Sequence, residues 1–357
     1  MLLKNGLFLA SLLSMAPAAF AATTWPLTIE NCGVKQTFTQ APQRVVTVGQ
    51  HETELLLALG LEKTIAATSV WFGKLPAPLV DAGKNLPRLA DNSPSFEAVA
   101  GQKPELVLAQ YHWHIGPQGE VGTRKQFASL GIKTWISPAD CTDKTVTETS
   151  NADGARSAPF SLAEITREVT DLATIFDVSA RGEQLNRALA ERIKKAQARV
   201  SAKPLSVVFW FSSSRLNGDP WVAGNYGAPG WISRTLGLKN IIDSHDEWPA
   251  VTWEHIARSQ PDVIVIAGMS RRLYPADDVE VKKAFLRSDP VTKNMPAVRN
   301  NHIIVVPAMS LNPSLRNVDA VELISDRLAS FQDEQCVISL LTAASRVYWQ
   351  QVPWRCR

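Results

Sequence analysis

Short apolar runs rich in β-branched residues alternate along the chain with segments whose apolar positions have helical spacing. Residues 44–49 predict a buried strand, and residues 52–59 predict a helix that Gly60 ends. The same alternation then predicts strands at 65–69, 105–109 and 133–136 and helices at 96–100 and 126–130. Because strands separated by helices form parallel sheets, we predict an α/β fold.

Two helices are predicted in the middle of the chain. Ser161 and Glu164 form a capping-box pattern that begins a helix ending near Phe176. A second, amphipathic helix is predicted over 179–200, and at 1.5 Å per residue it would be about 33 Å long. That length is enough to bridge two lobes. The Thr-, Ser- and Asp-rich segment 141–160 before them predicts an exposed loop.

The alternation of strands and helices restarts at 205–211, and part of the chain repeats. Residues 96–108 align without gaps to residues 253–265, which pairs Glu97 with Glu254 and Pro104 with Pro261. Leu-Gly-Leu also occurs at 59–61 and at 236–238. We therefore predict two related Rossmann-like lobes with parallel sheets, joined by one long helix, with a ligand cleft between them near the carboxyl ends of the strands.

The chain begins with the pattern of a signal peptide. Lys4 supplies the positive charge, residues 7–15 form a short apolar run, and Ala19-Phe20-Ala21 presents small residues for cleavage. Cys32 lies well beyond the cleavage point, so a lipid anchor is not expected. We predict a protein exported to the periplasm, with the following parts: signal peptide 1–21, first lobe 22–160, linker helices 161–203, second lobe 204–330 and C-terminal extension 331–357.

Four cysteines lie in what would be an oxidising compartment: Cys32, Cys141, Cys336 and Cys356. Four cysteines allow three connectivities, and the sequence alone does not choose among them. We expect Cys32 to pair with Cys141 inside the first lobe and Cys336 with Cys356 in the extension. None of them has the spacing of a thiolate metal site.

Composition and the absence of familiar catalytic motifs argue against two functional classes, nucleic-acid binding and enzymatic activity. A net charge of +3 over 357 residues gives no electrostatic basis for nucleic-acid binding. Eleven tryptophans against four tyrosines suit a large, flat ligand. The chain has no G-x-S-x-G, no P-loop and no H-E-x-x-H motif, so we do not expect an enzyme.

The repeated segment carries a family resemblance. Ser95-Phe-Glu97 and Trp248-Pro-Ala-Val-Thr-Trp-Glu254 resemble the periplasmic substrate-binding proteins of the helical-linker class, over residues 42–330. These proteins serve ABC importers of ferric siderophores, haem and cobalamin. The resemblance implies a monomeric receptor, with no cofactor of its own, whose Glu97 and Glu254 dock onto arginines of the two permease subunits.

Aromatic and cationic residues follow the predicted strands and are the candidate ligand contacts. Aromatic faces combined with guanidinium groups suit a bulky, partly anionic chelate. A ferric siderophore is the leading candidate ligand. Cobalamin, which the Trp-Pro-x-Val-x-x-Glu pattern favours, is an alternative, and so is haem. The candidates are His51, Trp71, Phe72, Tyr111, His112, Trp113, Trp221, Trp248, Arg271, Arg272 and, at a position implied by the resemblance, Arg316.

Two other interpretations remain open. His51, His112 and His114 could converge with Glu52 as an imidazole–carboxylate site in a receptor for a bare metal ion. Tyr111 or a histidine could instead ligate haem iron. The same cleft could also serve a sensor that presents its ligand to a signalling partner.

Overall fold

The computed structural model describes residues 22–145, 153–200, 204–270 and 272–344, with side chains described as far as Phe331. The predicted signal peptide 1–21, Arg271 and Cys356 lie outside the described residues, as does the side chain of Cys336.

The first lobe is built on a five-stranded parallel sheet with the strand order β5-β4-β3-β6-β7. An antiparallel hairpin, β1 (Leu27–Asn31) and β2 (Val34–Phe38), precedes it. The sheet strands are β3 (Val45–Val48), β4 (Ile65–Ser69), β5 (Arg88–Ala90), β6 (Leu106–Ala109) and β7 (Lys133–Ile136). The helices are α1 (Gln50–Ala58), α2 (Val80–Gly83), α3 (Phe96–Ala100), α4 (His112–Ile115) and α5 (Arg124–Ser129).

A short pair of antiparallel strands and two helices follow the first sheet. The paired strands are β8 (Lys144–Thr145) and β9 (Ala155–Arg156). The capping box predicted at Ser161 and Glu164 is present, and it begins α6 (Leu162–Ile175). Helix α7 (Ser179–Gln197) then crosses between the lobes. Its Arg181 donates to the Leu59 and Gly60 carbonyls of the first lobe, and its Ala196 is buried in the core of the second.

The second lobe repeats the α/β arrangement. Its sheet has the order β11-β10-β13-β14, with β12 paired to β10 and only β11 antiparallel. The strands are β10 (Ser206–Ser212), β11 (Trp221–Val222), β12 (Lys239–Asn240), β13 (Val263–Gly268) and β14 (Ile303–Pro307). The helices are α8 (Ala228–Thr235), α9 (Trp253–Arg258), α10 (Val279–Ser288), α11 (Pro296–Arg299) and α12 (Asn317–Ala344).

The repeat seen in the sequence is also a repeat of backbone geometry. Helices α3 and α9 begin in the same way, with a Ser95 or Thr252 hydroxyl accepting from the amide three residues on. The two Leu-Gly-Leu turns place Gly60 and Gly237 at φ 69° and 66°, the left-handed region that favours glycine. The predicted fold class, two α/β lobes joined by a long helix, is confirmed.

A disulfide between Cys32 and Cys141 ties the N-terminal hairpin to the first lobe, which is the pairing expected inside that lobe. Cys32 lies in the turn between β1 and β2, and Cys141 lies shortly after β7. Asn31 reinforces the same junction, because its side chain exchanges hydrogen bonds of 2.7 and 2.8 Å with the backbone of Ile136.

The described parts of segment 141–160 differ from the predicted exposed loop, because they pack against the second lobe. Arg156 is buried and donates to Glu247 at 2.6 Å. The backbone amide of Phe160 donates to the Tyr226 carbonyl. Polar composition indicated exposure, but the polar groups here find partners across the lobe boundary and are buried with them.

Within the part of the chain that the structure describes, no helix is both long and apolar enough to cross a membrane.

Candidate functional site

A cleft of about 840 Å³ lies between the lobes, where the carboxyl ends of both sheets meet. The first lobe contributes the aromatic rings of Phe72 and Tyr111, and the second contributes Phe211, Trp221 and Tyr274. The Trp221 and Tyr274 rings meet edge to face, with centroids 5.4 Å apart. Two walls of aromatic rings can enclose a large ligand and stack against its flat surfaces.

The local backbone explains why side chains point into this cleft. Gly49, at φ 137°, turns β3 directly into α1, and a Cβ there would lie 2.4 Å from the Cβ of Gln110. The tight turn sets the first residues of α1, including His51, at the cleft floor. Tyr111 directly precedes α4 as its N-cap residue, two residues after the end of β6.

An ion pair between the lobes lies on the cleft wall. The Arg316 guanidinium donates to both carboxylate oxygens of Glu54, at 2.8 Å from Nε and 2.5 Å from Nη2. It also donates to the Lys74 carbonyl at 2.5 Å. Glu54 belongs to α1 of the first lobe, and Arg316 directly precedes α12 of the second. Both side chains are buried, so the pair joins the lobes and neutralises the arginine.

Two further charged groups on the cleft wall have partners nearby. Arg272 forms an ion pair with Asp278 at 2.5 Å. Asp277 accepts from the backbone amides of Leu273 and Tyr274, at 2.7 and 2.8 Å, and from the Ser212 hydroxyl. Lys74 is exposed at the cleft edge.

A buried polar cluster lies beneath the cleft floor. His51 Nε2 is 3.1 Å from Glu168, which also accepts from Trp135 Nε1 and the Ser137 hydroxyl at 2.8 Å each. Glu52 is buried beside them. Burial and the neighbouring Glu168 carboxylate raise the pKa of Glu52 well above its ordinary value.

A buried lysine lies under the floor of the second lobe. Lys282 Nζ donates to the carbonyls of Phe211 and Ala267, at 2.5 and 2.8 Å, at the ends of two adjacent strands. Burial lowers the pKa of Lys282 from 10.5 to about 7, and the nearby Asp277 carboxylate partly opposes that shift.

Tyr111 presents a neutral phenol to the cleft. Burial raises its pKa, and the Asp140 carboxylate adds to that effect. Its ring stacks on Trp113 at a centroid distance of 4.3 Å, and its hydroxyl lies 3.5 Å from the Asn312 amide.

The structure brings six of the predicted ligand residues to the cleft: His51, Phe72, Tyr111, Trp221, Arg272 and Arg316. Four others lie elsewhere. His112 and Trp113 line a separate pocket of about 390 Å³. The Arg88 guanidinium lies 4.5 Å from the centre of the Trp71 ring, which is not part of the cleft wall. Trp248 is in the core, where its ring contacts Phe211 with centroids 4.6 Å apart.

The predicted set of metal-ligating histidines does not come together. His51 and Glu52 form a group with Glu168, within 4.8 Å of one another, whereas His112 lines the smaller pocket. His114 is buried, and burial lowers its pKa to about 4. Among the described residues, the only group with metal-ligand spacing is therefore His51, Glu52 and Glu168, and not the predicted histidines with Glu52.

Several cleft residues were missed by the sequence analysis. Phe211 is the last residue of the strand predicted at 205–211. Its position at the carboxyl end of that strand could have identified it as a cleft residue. Glu54 lies in a predicted helix, but no local pattern indicates that its partner is Arg316, 262 residues away.

The two repeat glutamates lie at equivalent places away from the cleft. Glu97 is in the first turn of α3 and Glu254 in the first turn of α9, and both side chains are exposed. Neither lines the cleft.

The two lobes are joined by a helix and enclose a cleft, an arrangement that suits a ligand-binding receptor. A family model, described as periplasmic binding protein, matches residues 45–309, and the chain belongs to this family. The family description is that of binding proteins of the periplasm.

Curated relatives include two vitamin B12-binding proteins. The protein from Pectobacterium atrosepticum is 26% identical over 244 residues, which cover 65% of this chain and 74% of that protein. The protein from Photorhabdus laumondii is 27% identical over 239 residues, covering 64% and 72%.

Similar solved structures share the fold. A periplasmic binding protein from Veillonella parvula has a TM-score of 0.70 and 21% identity, covering 87% of this chain and 99% of that one. An Fe³⁺-hydroxamate transport protein from Saccharomonospora viridis has a TM-score of 0.66 and 24% identity, covering 85% and 99%. The haem-binding protein HutB of Vibrio cholerae has a TM-score of 0.61 and 21% identity, covering 80% and 98%.

Proposed function

We propose that this protein binds a ferric siderophore in the periplasm and delivers it to an ABC permease. The observation that carries the proposal is the cleft of about 840 Å³ with aromatic rings on both walls. That volume is near the upper end of ordinary small-molecule sites, which suits a chelate larger than a bare ion or a simple metabolite.

Cobalamin is the second candidate ligand. Two observations support it. The curated relatives are vitamin B12-binding proteins, and the Trp248-Pro-Ala-Val pattern resembles that of cobalamin-binding members. A corrin is flat and carries amide groups, and both features suit aromatic walls with neutral donors such as Gln110 and Asn312.

Haem is the third candidate, with less support from the cleft chemistry. Both ring nitrogens of His51 already face partners, because Nε2 bonds Glu168 and Nδ1 lies 3.4 Å from the Leu315 amide. Tyr111 would have to lose a proton that its burial retains.

Titration of the purified protein tests the proposal. A neutral ferric trihydroxamate, cyanocobalamin and haemin would each be added while tryptophan fluorescence is followed, with native mass spectrometry giving the stoichiometry. We expect saturable binding of one ferric trihydroxamate. Trp221→Ala should weaken it by about tenfold, because a stacked ring contributes roughly 0.5–1.5 kcal/mol beyond its buried area.

Tyr226→Ala is the matched control. Tyr226 is a half-buried aromatic residue of the same lobe that stacks on His245, outside the cleft. Its removal should leave chelate affinity unchanged. Binding of cyanocobalamin alone would replace the siderophore with the corrinoid, and absence of binding for all three ligands would overturn the chelate proposal.

We further propose that Glu97 and Glu254 form the contact with the permease. Their support is the equivalent position of the two carboxylates, one on each lobe, both exposed and in the first turn of a capped helix. A pair placed in this way suits a partner built from two similar subunits.

A further inference from the structure

We propose that Glu54 sets the charge preference of the cleft: by neutralising Arg316, it makes the site select chelates of low net charge and reject strongly anionic ones. The inference rests on the proposed function, because it specifies which class of chelate the cleft accepts. It differs from the role expected for Arg316, that of a guanidinium contacting a partly anionic chelate.

The pair occupies the Nε–Nη2 edge of the Arg316 guanidinium, the edge that would otherwise bind a carboxylate or catecholate in a bidentate way. Nε and Nη2 of Arg316 are engaged by the two oxygens of Glu54, and Nη2 also donates to the Lys74 carbonyl. The Arg316 side chain is 9% exposed and that of Glu54 is 2% exposed. An anion could take the Nε–Nη2 edge of the guanidinium only by leaving the Glu54 carboxylate buried without its charge partner, which is strongly unfavourable.

Glu54 is itself held in place. Gln50 Nε2 donates to Glu54 at 3.0 Å and to the Gly73 carbonyl at 2.9 Å, while Gln50 Oε1 accepts from the amides of Phe72 and Gly73. The carboxylate is therefore fixed by the same side chain that orders the loop carrying Phe72. This arrangement is built before any ligand arrives.

The other described charged residues of the cleft do not supply the positive charge that the Glu54–Arg316 pair lacks. Arg272 is paired with Asp278, and Asp277 adds a negative charge to the wall. His51 lies against the Glu168 carboxylate beneath the floor. Lys74 is exposed at the edge, where water screens its charge. Among the described residues of the cleft, an anionic chelate would thus find no dedicated counter-charge.

Binding measurements on the wild type and on Glu54→Gln test the inference. The probes are a ferric tris-catecholate, which is strongly anionic, and a ferric trihydroxamate and cyanocobalamin, which are neutral. The wild type should bind its neutral ligand at least about tenfold more tightly than the tris-catecholate. Glu54→Gln should raise tris-catecholate affinity by about tenfold, the scale of one charge-assisted hydrogen bond, and change neutral-ligand affinity little.

The double variant Glu54→Gln, Arg316→Gln is the matched control. It removes the same carboxylate but also the guanidinium, so the gain in tris-catecholate affinity should disappear. Small-angle scattering of each variant checks that the lobes have not separated, because the pair also joins them.

Three outcomes are distinguishable. Equal wild-type affinity for neutral and anionic chelates would overturn the charge preference, and this comparison holds even if Glu54→Gln is unstable. An unchanged tris-catecholate affinity in folded Glu54→Gln would overturn the role of Glu54. Failure of every chelate to bind the wild type would instead overturn the proposed function.

Discussion

Lys282 shows how a single buried side chain makes the stability of this protein depend on pH. Its Nζ donates to the carbonyls of Phe211 and Ala267, near the ends of strands β10 and β13 and beside the cleft wall to which Phe211 contributes. The folded pKa is about 7, below the ordinary 10.5. Between those values the unfolded chain holds a proton that the folded protein does not, so this residue makes stability rise with pH.

We therefore expect the free energy of unfolding of the wild type to increase from pH 7 to pH 9.5 relative to Lys282→Met. The expected difference is at least about 1 kcal/mol, the equivalent of roughly one pKa unit. Urea unfolding at several pH values measures it. Lys125→Met, on an exposed lysine of the first lobe, is the control. Parallel profiles for the wild type and Lys282→Met would contradict the depressed pKa.

The sequence predicts that the cleft is lined by aromatic and charged side chains, but it predicts less well which individual positions supply them. Candidates were chosen because they lie in segments predicted to follow strands, and the structure has Tyr111 and Trp221 on the cleft wall. The same rule failed for Trp248, because Phe211 covers it and keeps it in the core. Which of two neighbouring rings faces solvent depends on packing between segments far apart in the chain, and local patterns do not encode that.

At the scale of elements, the strands that were predicted are those with continuous apolar runs. Strand β3 is buried at every position, as expected for a central parallel strand covered on both faces. Hairpin β1–β2 was not predicted, because its strands alternate between exposed and less exposed positions and carry polar residues such as Thr28 and Thr37. Segment 153–160 was misjudged because its partners belong to the second lobe.

The hairpin depends on its disulfide. Replacing Cys32 and Cys141 together by serine should lower the free energy of unfolding by about 2–5 kcal/mol, because the bond closes a long loop in the unfolded chain. Chemical denaturation measures the loss. Hydrogen exchange should show amides of β1 and β2 losing protection while those of β13 stay protected. A uniform loss across both lobes would contradict a local role.

At the scale of the whole molecule, the internal repeat is the feature that the sequence established most firmly. A gapless match of thirteen residues implied two related lobes, and the lobes share helix caps, turn glycines and exposed glutamates. The contacts that hold the lobes together were not predictable. Glu54–Arg316 and Arg156–Glu247 join residues separated by 262 and 91 positions.

The repeat leads to a prediction about transport. Glu97→Ala combined with Glu254→Ala should abolish uptake while ligand affinity stays unchanged, because both residues are exposed and remote from the cleft. Reconstituted transport and ligand titration measure the two effects separately. Glu191→Ala, an exposed carboxylate on the linker helix α7, should alter neither. A parallel loss of ligand affinity would show that the two glutamates support the fold instead.

The Cys32–Cys141 bond also gives the two lobes different mechanical properties. Its loop of 109 residues lies entirely within the first half of the chain. If the protein is pulled from its ends, the second lobe can extend fully, but about 390 Å of first-lobe chain stays locked behind the bond, at roughly 3.6 Å per residue. While the disulfide is intact, the first lobe therefore lengthens much less under tension than the second lobe. The segment between Cys32 and Cys141 can extend only after the bond is reduced.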